Sequence, residues 1–161
     1  MRKLFSLSAV ILSAVIVSVA GAAENSPAFG QFAQAAQAAA AKQGATLLVK
    51  YDAARRLLQV AREMKVNEFR RLTQVQSVSV DKLAAEAELT SLGERFEPWL
   101  KIPCVDQKKA VQLDSTQEIN GARDDELSKE ERLGFLMLPC HPSELKKVQA
   151  AYAEFKKSVA R

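Results

Sequence analysis

One histidine and two cysteines are all the imidazole and thiol groups in this 161-residue chain. A structural zinc site takes four such ligands at recognisable spacing. Here Cys140 and His141 are adjacent and Cys104 is remote, so the pattern points away from zinc. The C-x-x-C-H signature of covalent haem attachment is absent, as is the C-x-x-C spacing of a redox dithiol. Met64 and Met137 could join His141 on a haem iron, but methionine on an apolar stripe is far more often core. A Ser-His-carboxylate arrangement would have to use His141, and no G-x-S-x-G elbow marks a serine for it. Paired carboxylates need only Asp and Glu. Glu86, Glu88, Glu94 and Glu97 are close in sequence, yet nothing marks them as buried, and they read as a solvated face. Asp114–Asp125 (DSTQEINGARDD) is rich in oxygen ligands, but no register of the EF-hand template places both its glycine and its glutamate. No glycine-rich phosphate loop occurs. The expectation is no catalytic residue, no bound metal and no cofactor.

The cysteines are then read with the N-terminus. Arg2 and Lys3 precede an apolar run, Leu4 to Val19, followed by Ala20-Gly21-Ala22. That is the pattern of a secretory signal peptide over residues 1–22, cleaved after Ala22; an uncleaved anchor is the alternative. Export implies an oxidising compartment, where an even pair of cysteines predicts a disulfide, Cys104 to Cys140. Closing the Val105–Pro139 loop would be worth roughly 3–4 kcal/mol in the chain-entropy model. Each cysteine follows a proline, in Leu-Lys-Ile-Pro-Cys and Leu-Met-Leu-Pro-Cys. The net charge of +4 includes Arg2 and Lys3. The basic balance is thus no argument for nucleic acid, and no stable membrane span is expected after cleavage.

The elements that must position these groups follow from periodicity. The longest unbroken segment, Ala45 to Gln76, contains no Pro and no Gly. On a helical wheel Leu47, Leu48, Tyr51, Ala54, Leu58, Ala61, Phe69 and Leu72 share a stripe, flanked by Leu57, Met64 and Val75. This spacing predicts one long amphipathic helix. Its basic residues Arg56, Arg70 and Arg71 point widely apart on the wheel, as on a solvated surface. Ahead of it, Ser26-Pro27 opens a helix running to about Gln43, with Phe29 and Phe32 as anchors and Gly44 as C-cap. A loosely docked or disordered Ala/Gln linker is the alternative over residues 23–44.

Beyond Ser77–Val80, a third helix is expected from Leu83 to Trp99, with Ala85, Leu89, Leu92, Phe96 and Trp99 on a narrow seam and Pro98 ending it. Asn120-Gly121 is a turn signal. Ser128 and Glu131 form a capping box that opens a short helix ending before Pro139. Ser143, or His141 with Pro142, caps a last helix striped by Leu145, Val148, Tyr152, Phe155 and Val159, with Lys156, Lys157 and Arg161 at its C-terminal end.

The sequence expectation is therefore an all-α fold: a small helical bundle of four main helices plus a short one, with one disulfide, as a single domain over residues 23–161. The expected role is that of an exported, periplasmic, non-enzymatic protein that binds another exported or envelope protein, of inhibitor, immunity, chaperone or secretion-accessory type. Leu89, Leu92, Phe96 and Trp99 are its candidate partner-facing seam, with a core role for the same residues as the alternative. A bundle holding haem, lipid or another apolar molecule is the second reading, and a carboxylate hydrolase the third.

Overall fold

The segment Ala45–Gln76 is not a helix. In the computed structural model, which describes residues 26–90, 98–105 and 108–160, it falls within a three-stranded antiparallel meander. The strands are β1 (Thr46–Asp52), β2 (Leu57–Lys65) and β3 (Arg70–Ser79). Leu47, Val49 and Tyr51 are buried at every second position of β1, and Leu58 and Val60 of β2, which is the two-residue period of a strand with one face inward. Neither connecting turn uses Gly or Pro. In the first, Arg56 adopts a left-handed φ of 53° and the Asp52 carboxylate accepts the Arg55 N–H at 3.0 Å. In the second, Asn67 Oδ1 accepts the N–H groups of Phe69 and Arg70 at 2.9 and 2.8 Å. Asx side chains here do the turn-closing that glycine or proline would otherwise signal.

Among the described residues the chain forms eight strands in two antiparallel sheets and two α-helices, which overturns the expected all-α bundle. Helix α1 (Pro27–Ala41) precedes the meander. After it come β4 (Glu88–Thr90), β5 (Trp99–Pro103), β6 (Val111–Ile119), β7 (Ala122–Leu133), β8 (Phe135–Pro139) and helix α2 (Leu145–Val159). The large sheet has the order β1-β2-β3-β6-β7, and the small sheet β4-β5-β8. Of the expected third helix, residues 83–90 are non-helical and Trp99 lies in a strand; Leu92, Phe96, Glu94 and Glu97 lie outside the described residues, as do residues 1–22. The short helix expected from Ser128 to before Pro139 is instead the end of β7 and most of β8. Strand β7 is charged at Arg123, Asp124, Asp125, Glu126, Lys129, Glu130, Glu131 and Arg132, and it forms an edge of the large sheet, where charge is tolerated and discourages stray pairing. Asn120-Gly121 turns the β6–β7 hairpin with φ of 54° and 80°, the left-handed pair that a two-residue hairpin needs.

The terminal helices form on the expected spacing, but their caps differ. Ser26 makes no side-chain cap bond, and α1 ends at Ala41 with Lys42 rather than Gly44 as its C-cap. His141 caps a short 3-10 turn ahead of α2, whose own N-cap is Glu144. The two helices pack against each other on the inner face of the sheets. Phe29 and Phe32 of α1 meet Tyr152 and Phe155 of α2 and Tyr51 of β1. Phe155 stacks on Phe32 at 5.6 Å and meets Tyr51 edge-on at 5.1 Å. The buried Ala35, Ala36, Ala39 and Ala40 allow α1 to approach its neighbours closely. A clasp holds the end of α2: the Arg56 guanidinium forms a two-pronged bond with the Asp81 carboxylate at 2.8 and 2.6 Å and donates to the Val159 carbonyl, while the Lys156 ammonium donates to the Val80 carbonyl. The small sheet is fastened to the large one by Gln76. Its side-chain amide donates to the Met137 carbonyl at 2.7 Å and accepts the Met137 N–H at 2.9 Å, so it completes the open edge of β8.

The expected disulfide is also overturned. The Cys104 N–H bonds the Gly134 carbonyl, one step beyond the Pro103–Phe135 pair, whereas Cys140 lies one step beyond the Trp99–Pro139 pair. The cysteines therefore sit at opposite ends of the β5–β8 ladder, on the order of 20 Å apart at the rise of a strand. A bridge needs their Cα atoms within about 7 Å. The prolines that precede them occupy strand ends, where a missing N–H is cheap. Both thiols are free and buried, and burial, with the Glu144 carboxylate adding to it, pushes the Cys140 thiol up from its ordinary value. Protein prepared without reductant is expected to take a maleimide on both cysteines when denatured and on neither when folded. A mass deficit of about 2 Da with no labelling would contradict this geometry.

Candidate functional site

The inner face of the large sheet is longer than the layer that covers it. Strand pairing sets Leu47 opposite Arg62, Arg62 opposite Gln74, and Gln74 opposite Ser115; one step further out, Met64 faces Leu72 and Leu72 faces Gln117. By the two-residue period these side chains point the same way as the buried Val60, Gln76 and Val78. Near Gln76 that face is sealed by the small sheet and the helices. Beyond it the same face emerges, and Arg62, Met64, Leu72, Gln74, Leu113, Ser115 and Gln117 are only half-buried.

The result is a trough of about 270 Å³ lined by Leu72, Gln74, Leu113, Ser115, Gln117, Leu127, Lys129 and Glu131. Leu127 reaches it through a bulge. Residues Asp125–Ser128 of β7 stand against Thr116 alone, since Ser115 pairs with Lys129 and Gln117 with Asp124. The Asp124 carboxylate closes the bulge by accepting the Glu126 and Leu127 N–H groups, each at 3.1 Å. The Ser128 hydroxyl accepts the Gln117 N–H and donates to the Asp124 carbonyl. Bulges of this kind re-aim side chains at sheet edges. On the β2 side the Arg62 guanidinium lies 4.3 Å from the centre of the Trp99 ring. At the same end of the sheet the β2–β3 turn leaves Val66 and Phe69 53% and 64% exposed, and the Asn120 N–H bonds the Phe69 carbonyl at 2.8 Å, tying that turn to the β6–β7 hairpin.

No protein-family model, curated protein or solved structure matches the chain. Its site is therefore judged by its own chemistry. The trough combines leucines with two amides and a hydroxyl, and Lys129 and Glu131 add one charge of each sign at its β7 side; Gln74 donates to Ser115 at 3.4 Å. Such a surface can hold apolar side chains and offer hydrogen bonds around them, neutral from the amides and hydroxyl and charged from Lys129 and Glu131. The chain's one imidazole is elsewhere. His141 caps the turn into α2, its Nδ1 2.9 Å from the Ser143 hydroxyl and accepting the Ser143 N–H at 3.3 Å. Glu86 and Glu88 are exposed, and Asp114–Asp125 spans a hairpin rather than a ligand loop.

Two residues of the expected seam are described. Leu89 pairs with Leu100 and Thr90 with Trp99, so Leu89 and Trp99 point to opposite faces of the small sheet. Sequence reasoning missed the trough because Phe69 and Leu72 fitted a helical core stripe. The usable signal was Asn67, a turn former three residues before the strand that begins at Arg70. A second concavity, of about 280 Å³, lies between the helices and is lined by Gln31, Gln34, Ala35, Lys147, Ala150, Ala151 and Glu154. Alanine supplies its apolar surface, so it offers no large anchor.

Proposed function

We propose that this chain is an exported, non-enzymatic protein that binds a segment of another exported or envelope protein at the far end of its large sheet. The carrying observation is the exposed Phe69 at the same end of the sheet as a trough of half-buried leucines. Exposed large apolar side chains gathered at one end of a sheet are a mark of interaction sites, and aromatic anchors supply much of the binding energy at such sites. The export half of the reading rests on the Arg2–Ala22 pattern. An apolar small molecule held in the interior has less to stand on, because Phe29, Phe32, Tyr51, Tyr152 and Phe155 occupy the space between helices and sheet.

The test is a comparison of variants. The combined Phe69→Ser and Leu113→Lys chain should retain a co-purifying envelope protein at least ~10-fold less well than the parent. A Gln34→Glu chain, altered in the groove between the helices, should retain it fully. Equal retention by all three forms, or no retained protein with any of them, would overturn the reading.

A further inference from the structure

The two free thiols sit at the two ends of one strand pair. The Cys104 N–H bonds the Gly134 carbonyl at 2.8 Å just past one end of the β5–β8 ladder, and the Cys140 N–H bonds the Pro98 carbonyl at 3.3 Å just past the other. Between them Leu100 stands opposite Leu138 and Ile102 opposite Leu136, and all four are buried. A strand pair of this length keeps the cysteines on the order of 20 Å apart, while a disulfide needs their Cα atoms within about 7 Å. Side-chain motion cannot close that gap. The strands must part, or slip past each other along nearly the whole ladder, and either movement takes the four core side chains out of place. It also strips the Met137 backbone from the Gln76 amide.

We propose that the native fold and a Cys104–Cys140 disulfide exclude each other, so that the oxidation state of the two thiols gates folding. In the unfolded chain no ladder holds the cysteines apart, and closing the loop between them has only a modest entropic cost. A small disulfide such as oxidised glutathione supplies the oxidant. One cysteine thiolate attacks it and releases a glutathione thiol; the second thiolate attacks the resulting mixed disulfide and releases the other. Two protein thiols are oxidised, and one glutathione disulfide is reduced to two thiols. In the folded chain both thiols are buried and beyond each other's reach, so the exchange has no entry. The bridge therefore belongs to the unfolded ensemble alone, the reverse of a native disulfide. Wherever disulfides are made, the chain reaches this fold by closing the ladder before its thiols pair, or with a thiol reductase or isomerase that reopens the bridge. This inference does not rest on the binding reading of the trough.

The test uses the full chain, after any processing in the cell, unfolded in denaturant at low concentration and divided in two. One half is kept reduced. The other is treated with oxidised glutathione until its mass falls by about 2 Da and it takes no maleimide. On removal of denaturant the reduced half should regain slow hydrogen exchange at the Leu100, Ile102, Leu136 and Leu138 amides. The oxidised half should not, and dithiothreitol added afterwards should restore that protection. Chain that is folded first and then given oxidised glutathione should keep both thiols, and any fraction that loses them should lose the protection with them. An oxidised chain that regains the protection overturns the proposal. So does a bridge formed in folded chain with protection intact, an unfolded chain that forms no intramolecular bridge, or a loss that dithiothreitol does not reverse.

Discussion

Gln76→Leu is expected to destabilise the fold by about 2–4 kcal/mol, although it exchanges a polar side chain for an apolar one at a site only 8% exposed. The gain from burying a leucine is outweighed by what it strands. Met137 stands opposite Lys101 on β5, while its own N–H and C=O turn the other way and meet only the Gln76 amide. Leucine leaves both without a partner in a place water reaches poorly, and each such group costs about 1–3 kcal/mol. Denaturant melts of parent and variant would give the difference directly.

Gln76→Glu separates this cause from simple misfit. A carboxylate here would be buried against the Met137 carbonyl, which raises its folded pKa above the unfolded value. The variant's stability should then be greatest below the unfolded carboxylate pKa and decline relative to the parent as pH rises through the folded value. A pH-independent difference would mean that the amide is not holding β8.

Phe155→Ala should cost about 3–5 kcal/mol, a large part of the stability of an ordinary domain. Phe155 is fully buried and touches Phe29, Phe32 and Tyr51, so one truncation opens a cavity where α1, α2 and β1 meet. Phe69→Ala, an identical chemical change, should shift stability by less than about 0.5 kcal/mol because the ring is mostly exposed. Thermal melts of the two variants side by side check this. If they lose similar stability, the assignment of Phe155 to the core and Phe69 to the surface is wrong.

The contrast between these two phenylalanines also shows what was legible in the sequence. Phe155 belongs to a stripe with Val148, Tyr152 and Val159, preceded by His141-Pro142 and followed by lysines. Period and end charge agree there, and helix α2 forms on that stripe, entered through a 3-10 turn that His141 caps. Ser26-Pro27 marks the start of α1. Between β1 and β3 the signals conflict. Leu47 and Tyr51 satisfy a helical period, while Leu47, Val49 and Tyr51 also satisfy a strand period. The turns that decide the matter rest on Asp52, Asn67 and a left-handed Arg56, none of which breaks a helix as Pro or Gly would.

Strand β7 was unreadable for another reason. Its charge suits an edge, and which strand is an edge is a property of the whole sheet rather than of any local stretch. The candidate site shares that difficulty. Leu72, Leu113 and Leu127 come together through pairing between β3 and β6 and a bulge in β7, and their half-exposure depends on where the small sheet stops. The cysteines misled because compartment and spacing predict that two thiols will pair, but only strand register says how far apart they lie.

The most direct test of the binding reading is site-specific photo-crosslinking in living cells, with a photoreactive phenylalanine analogue replacing either Phe69 or Gln34. The Phe69 position sits at the exposed end of the large sheet, and Gln34 lines the groove between the helices. The account predicts a discrete crosslinked protein from position 69 and none from position 34. A crosslink from position 34 alone, or no crosslink from position 69 in correctly exported chain, would contradict it.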